Sequence, residues 1–332
     1  MRLLLILFLP LFIAGCSHRK IAADELPASG DTISFSNDTT IATIDLPIDP
    51  AQAKLQIEQN KKALPEVTGD FDAFKKFTMH LEPHNWYTIT TMKDYLNVFL
   101  TKANEQDRDS SYFYFVSSYY TVINDQSRSL YTHYPATMRR LDEGETTPET
   151  QQFKEFLDLF GTGLLVTEGD FYLDARTDYF LTIFNNRVSP GLNTYLVLRK
   201  QEMDEGFSED AGLLISFEEV YGRVLRWEKF IETYPDGVIT GHAKYYLASY
   251  LSTLLSGMDN SPVFDEHERL DFEIQKLYEK IIREGPPATS TQIIKGYYDL
   301  LSKNEFKRSP DLDSYLDQQS LTSMQGVQPD LR

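Results

Sequence analysis

Apolar positions fall into three regimes along the chain. Leu3–Ile13 is an almost unbroken apolar run, interrupted only by Pro10 and preceded by a single positive residue, Arg2. Ser17–Asp49 is polar, rich in Ser, Thr, Asp and Ala, with one short apolar piece at Ile33–Phe35. Beyond Asp49, apolar residues recur every three or four positions, the mark of amphipathic helices. Asp49-Pro50 reads as an N-cap followed by proline at the first helical position, opening a helix to Lys62. Phe71, Phe74, Phe77 and Leu81 mark one face of a second helix, and 91–103 predicts a third. Ser111–Ile123 carries Tyr112, Phe113, Phe115, Val116, Tyr119 and Tyr120, too dense for one stripe; it predicts a helix buried on more than one side.

Thr147-Pro148 and Ser189-Pro190 repeat the cap-then-proline signal and open helices over 148–160 and 190–204, with another predicted over 170–186. Ser216 with Glu219, and Asp265 with Glu268, are candidate capping boxes. Gly257 and Gly285 sit where helices should stop. No segment alternates convincingly with a period of two. The expected class is all-α: about eleven helices in an irregular α-solenoid or bundle over 50–306, then a polar tail over 307–332.

The leading apolar run is too short to cross a bilayer, which takes about 20 residues. It fits the apolar core of a secretory signal, with small residues at its end. It closes on Ile13-Ala14-Gly15-Cys16, and Cys16 is the only cysteine in 332 residues. A lone cysteine excludes an intramolecular disulfide, so the fold must rest on its core. The aromatic content, 13%, is consistent with a substantial one.

Ile13-Ala14-Gly15-Cys16 resembles the lipobox of bacterial lipoproteins. The resemblance implies a signal peptide over 1–15, lipidation of Cys16 as the mature N-terminus, and a flexible tether over 16–49. About 30 flexible residues span roughly 30 Å root-mean-square, which would stand the body off the membrane. Ser17 in place of an aspartate implies the outer membrane, facing the periplasm. One acyl chain anchors only marginally, and the two or three chains of a mature lipoprotein would hold firmly. With 32 basic and 50 acidic residues the net charge is −18. Such a chain is repelled by nucleic acid and by anionic lipid surfaces. The expected partners are therefore the membrane, through the lipid on Cys16, and an envelope protein.

The strongest internal pattern is Trp227-Glu-Lys-Phe230-Ile-Glu-Thr-Tyr234-Pro235, followed by Ala243-Lys-Tyr-Tyr246-Leu247-Ala248. Proline stops the first helix, and the alanines let the second approach closely. Phe230, Tyr234, Tyr246 and Leu247 can fill the space between. The segment 217–257 resembles a tetratricopeptide-type (TPR-like) helical hairpin. It is similar to the hairpins of periplasmic lipoproteins such as the helical-repeat subunit of the outer-membrane β-barrel assembly machinery. A second copy starts 51 residues later. There Tyr278-Glu-Lys-Ile281 matches Trp227-Glu-Lys-Phe230, and Lys295 and Tyr297 match Lys244 and Tyr246. Met258–Asp265 would be a loop inserted between the copies. Leu130-Tyr-Thr-His-Tyr134-Pro135 echoes the same ending.

Candidate chemistry is sparse. His80 and His84 are four apart, but Pro83 lies between them and disrupts a shared helical face. Asp259, Asp265, Glu266, His267 and Glu268 form an acidic loop that could offer oxygens to a cation, or could cap a helix. Asp170, Asp174 and Asp178, with Glu168 nearby, would share a helical face at i, i+4, i+8. Paired carboxylates of that kind are either a solvated face or the machinery of a glycan-cleaving envelope enzyme. There is no Gly-x-Ser-x-Gly elbow and no phosphate-binding glycine loop. No catalytic, metal or cofactor residue is assigned. The expectation is a lipid-anchored interaction scaffold, with a carboxylate enzyme or a solute- or glycan-binding lipoprotein as alternatives.

Overall fold

Helix starts follow local capping chemistry. The Asp49 carboxylate accepts the Ala51 amide at 2.9 Å beside Pro50. Thr147 and Thr150 form a reciprocal capping box beside Pro148, and Ser216 and Glu219 form another. The computed structural model describes residues 49–167 and 170–321. The expected signal peptide, Cys16, all but the last residue of the expected tether, Glu168 and 322–332 lie outside the described residues.

The order begins α1 (Pro50–Lys62), α2 (Phe71–Thr78), α3 (Trp86–Lys102), α4 (Glu105–His133), α5 (Pro135–Asp142) and α6 (Pro148–Leu159). An antiparallel hairpin follows, β1 (Thr162–Thr167) with β2 (Asp170–Ala175), pairing Thr162 with Ala175. Then come α7 (Tyr179–Phe184), α8 (Pro190–Glu205) and the two-residue strands β3 (Ser208–Glu209) and β4 (Gly212–Leu213). The chain continues through α9 (Phe217–Thr233), α10 (Thr240–Ser256), β5 (Gly257–Met258) and β6 (Ser261–Pro262). It closes with α11 (Phe272–Glu284), α12 (Thr289–Lys303) and α13 (Pro310–Gln318). The fold is all-α, built from helical hairpins, with three small antiparallel strand pairs among the described residues. None of its described helices is long and apolar enough to cross a membrane.

Three expectations need correction. The helix predicted over 170–186 is strand β2 followed by the six-residue α7. Phe171, Leu173 and Ala175 alternate inward on β2, a period of two that acids spaced by four had masked. Asp265 and Glu268 form no capping box. Asp265 accepts the His267 and Arg269 amides, each at 2.9 Å, in a tight turn, and Asp271 caps α11. The polar tail predicted from 307 contains α13, whose Leu312 and Leu316 are buried along with Leu321. The all-α expectation of about eleven helices is met by thirteen described ones, α5 and α13 being the additions.

The long α4, 29 residues, forms the spine of the N-terminal half. Only Ser117 and Thr121 are exposed along Ser111–Ile123, as its dense aromatics require. In the C-terminal half, α9 and α10 form the hairpin expected over 217–257. Trp227 stacks on Tyr246 with ring centroids 5.0 Å apart. The equivalent pair across α11 and α12, Tyr278 with Tyr297, meets edge-on at 6.5 Å.

The 51-residue spacing extends back to a third helix. Tyr195 on α8, Tyr246 on α10 and Tyr297 on α12 are all buried, as are Leu192, Ala243 and Ile294 three residues earlier. Each of α8 and α10 ends on a glycine with positive φ, Gly206 and Gly257, that starts a tiny β-hairpin. The two β-hairpins bond to each other: Asn260 donates its amide to the Ala211 carbonyl at 2.9 Å, and Leu213 to the Ser261 hydroxyl at 2.9 Å. A buried carboxylate links successive hairpins. Glu228 on α9 accepts the Ser290 amide at 3.2 Å and the Ser290 hydroxyl, at the first turn of α12.

Candidate functional site

On α8, Leu192, Tyr195, Leu196, Arg199 and Glu202 share the buried face at helical spacing, so the sequence puts two charges on a core stripe. On α9, Arg223 falls in phase with Val220, Val224 and Trp227. That phase is the signal by which these residues could have been found from sequence; apolar periodicity alone passes over them.

The three helices α8, α9 and α10 bring these groups together. The Glu202 carboxylate accepts from Trp227 Nε1 at 2.8 Å, from the Tyr250 hydroxyl at 2.9 Å and from Arg199 Nη1 at 3.2 Å. Arg223 Nη1 donates to the Tyr250 hydroxyl at 3.2 Å, and its Nη2 reaches the Glu205 carboxylate at 3.1 Å and the Gly206 carbonyl. Arg226 contacts Glu205 from the exposed side at 3.3 Å. The Arg199 guanidinium lies over the Tyr246 ring, 4.3 Å from its centroid.

Three guanidiniums thus face two carboxylates. Burial pushes the Glu202 carboxyl up, and Arg199 and Arg223 only partly offset it. Burial also pushes Glu205 up, but hydrogen bonds from Arg226 and Gln201 and the nearby guanidinium charges outweigh it and hold its carboxyl below the usual range. The Tyr250 hydroxyl is pushed up, chiefly by burial and then by Glu202. Three guanidinium nitrogens of this cluster are buried without a hydrogen-bond partner among the described residues: Arg199 Nη2, Arg223 Nε and Arg226 Nε. Arg199 itself is 6% exposed. A buried polar atom of that kind is costly and uncommon.

Arg199 reaches a cavity of about 200 Å³ between α4, α7, α8 and the start of α10. Its walls are largely aromatic, with Tyr112 and Phe113 from α4, Phe180 from α7 and Tyr195 from α8. Lys200, Arg176 and His242 also line it. Lys200 pairs with Asp204, and Arg176 pairs with Asp158 at 3.1 Å. Each of the three lining cations, Arg176, Arg199 and Lys200, thus has a carboxylate partner.

The residues expected to build the hairpin are found in it. Trp227, Phe230, Ala243 and Tyr246 are buried, Tyr234 and Leu247 are half-buried, and Pro235 is exposed in the turn. Tyr234 ends α9 with φ −127°, close to the −131° of Tyr134 at the end of α4, so the predicted echo is a shared helix ending. Asp170 and Asp174 lie on β2 rather than a helix, so with Asp178 they share no helical face. Asp174 accepts the Tyr120 hydroxyl at 3.0 Å, and Asp178 lies 3.6 Å from Arg176.

His80 bonds the Lys76 carbonyl at 2.6 Å, whereas His84 bonds Asp125. In the acidic loop, Glu268 faces Arg308 at 3.9 Å. No cluster of three or more His, Cys, Asp or Glu placed to hold a metal occurs among the described residues. Compared with the models of known families, with curated proteins and with solved structures, the chain matches none.

Proposed function

We propose that this chain is a bacterial envelope lipoprotein, anchored through Cys16 at the periplasmic face of the outer membrane, with a TPR-like helical body that acts as an interaction scaffold or adaptor. The observation that carries the reading is the buried column Tyr195, Tyr246, Tyr297, each 51 residues after the last. Stacked helix pairs with a constant repeat build extended surfaces on which a partner segment can lie. The unit is longer than the roughly 34 residues of regular tetratricopeptides. Its extra length includes the small β-hairpins that follow α8 and α10. The lipobox-like Ile13-Ala14-Gly15-Cys16 supports the anchoring half of the reading. For the carboxylate enzyme, the acids singled out in sequence offer no support: two sit on a strand, and Asp174 is engaged by Tyr120.

The test is cross-linking in native envelopes, wild type against Cys16→Ala, with mass spectrometry of partners and of the mature N-terminus. The expected outcome is a lipidated Cys16, one or two stoichiometric envelope proteins, and release of the variant from the membrane fraction. An unmodified Cys16 would sink the anchoring, and absence of any protein partner would sink the scaffold.

A further inference from the structure

Protein interiors are close-packed, and gaps larger than a water molecule are few. Between α4, α7, α8 and the start of α10, about 200 Å³ nevertheless lies open beside the core. Its wall is made chiefly of the rings of Tyr112, Phe113, Phe180 and Tyr195, with Leu196 and Met203. An apolar cavity of about 150 Å³ stays dry and holds a benzene ring. The space therefore suits one aromatic ring with a small substituent.

The charges on the wall say what that substituent is not. Arg176 is paired with Asp158 at 3.1 Å, Arg199 with Glu202 at 3.2 Å, and Lys200 with Asp204. A charged ligand would shed its hydration here and find each lining cation already neutralised. His242, on the first turn of α10, offers a polar contact instead. Part of its surface stays in solvent. Its ring lies 6.2 Å from that of Phe113 and 6.4 Å from that of Tyr195, and it hydrogen-bonds no described residue. Loss of water on its cavity side, and then the Arg199 charge, hold the imidazole below its usual range. The neutral ring carries one donor and one acceptor.

We infer that this cavity binds a small uncharged aromatic molecule bearing one hydroxyl, of the phenol or benzyl alcohol class, with its ring among Tyr112, Phe113 and Phe180 and its hydroxyl bonded to the His242 imidazole. The site is independent of the scaffold reading. Tyr112 already meets Phe113 edge to face, with centroids 5.3 Å apart, and a planar ligand extends that arrangement. A hydroxyl both donates and accepts, so it suits either tautomer of the imidazole.

The test is calorimetric titration of the purified full-length chain with benzyl alcohol, benzoate, benzylamine and toluene. Benzyl alcohol is expected to bind, and benzoate and the benzylammonium ion to bind about tenfold or more weakly, because each must bury an unpaired charge. His242→Leu should weaken benzyl alcohol by about threefold or more and leave toluene unweakened, the mark of one lost hydrogen bond. Val116→Phe, on the cavity wall, should abolish binding of both by filling the space. Circular dichroism would establish that each variant is folded; if Val116→Phe is not, the partly exposed position His242 decides the location alone. Any one of four results overturns the site: no binding of benzyl alcohol, equal or tighter binding of either charged probe, undiminished binding by Val116→Phe, or undiminished binding of benzyl alcohol by His242→Leu.

Discussion

Three side chains hydrogen-bond the carboxylate of Glu202, and a fourth, Arg223, holds its charge from α9. Glu202→Ala would leave Arg199 and Arg223 buried without their shared anion, and removal of one member of such a group costs about 3–5 kcal/mol. Glu202→Gln keeps hydrogen-bonding capacity toward Trp227 or Tyr250 and should cost less. Urea denaturation of both variants measures this, and equal loss in the two would show that the charge contributes little. The pH dependence has a definite sign. Burial raises the folded-state pKa of Glu202 above its ordinary 4.5, so its protonated form is favoured by folding. The stability this contributes is fully present below the unfolded value and is lost as pH rises through the folded one. Wild type should therefore gain stability relative to Glu202→Gln as pH falls through that window; a gain in the opposite direction would contradict the assignment.

Among the elements, the glycines divide by what surrounds them. Gly257 ends α10 at φ +75°, and a Cβ there would meet the Ser261 carbonyl oxygen at 2.7 Å and the Val263 nitrogen at 2.8 Å. Both are backbone atoms, so neither can rotate away. Gly222 sits inside α9 with nothing within 4 Å of a Cβ. Gly257→Ala should destabilise by more than about 1 kcal/mol, from left-handed backbone strain plus the clash. Gly222→Ala should stabilise by about 0.5–1 kcal/mol through lower chain entropy in the unfolded state. Thermal melts of the two variants, read in parallel, check the opposite signs.

Over the whole molecule, the buried apolar residues from Ala53 to Leu321 form one continuous cluster. Open repeat arrays unfold by nearest-neighbour steps, and their ends can fray apart. A shared core couples the halves instead. The two tryptophans report on different regions, Trp86 against Phe156 and Phe160, and Trp227 against Tyr195 and Tyr246. Trp86→Phe and Trp227→Phe each isolate one of them. In each variant the urea transition seen by fluorescence should coincide with that seen by far-UV circular dichroism. Separate midpoints would mean that the repeat region unfolds on its own.

Much of the helical framework was legible because caps and stops are local. Asp49-Pro50, Thr147-Pro148, Ser189-Pro190 and the Ser216–Glu219 box set their helix starts with atoms a few residues apart. The hairpin of Trp227 and Tyr246 and its copy at Tyr278 and Tyr297 were legible for a related reason: the repeated string carries its own contacts. The strand β2 was not, because its acids happened to fall four apart while its short apolar alternation needed β1 as a partner. The third instance of the repeat in α8 was hidden by Arg199, which stands where the other copies have Tyr250 and Leu301. What the sequence by itself determined was the all-α class, many of the helix starts and one repeated hairpin, all governed by forces acting along the chain or between adjacent helices. Tertiary structure alone decided that Tyr112, Phe180, Arg199 and His242 line one cavity, and that Glu202 meets Arg199, Trp227 and Tyr250 in the core beside it. Burial and pairing are properties of the space between distant segments, and no local spacing encodes them.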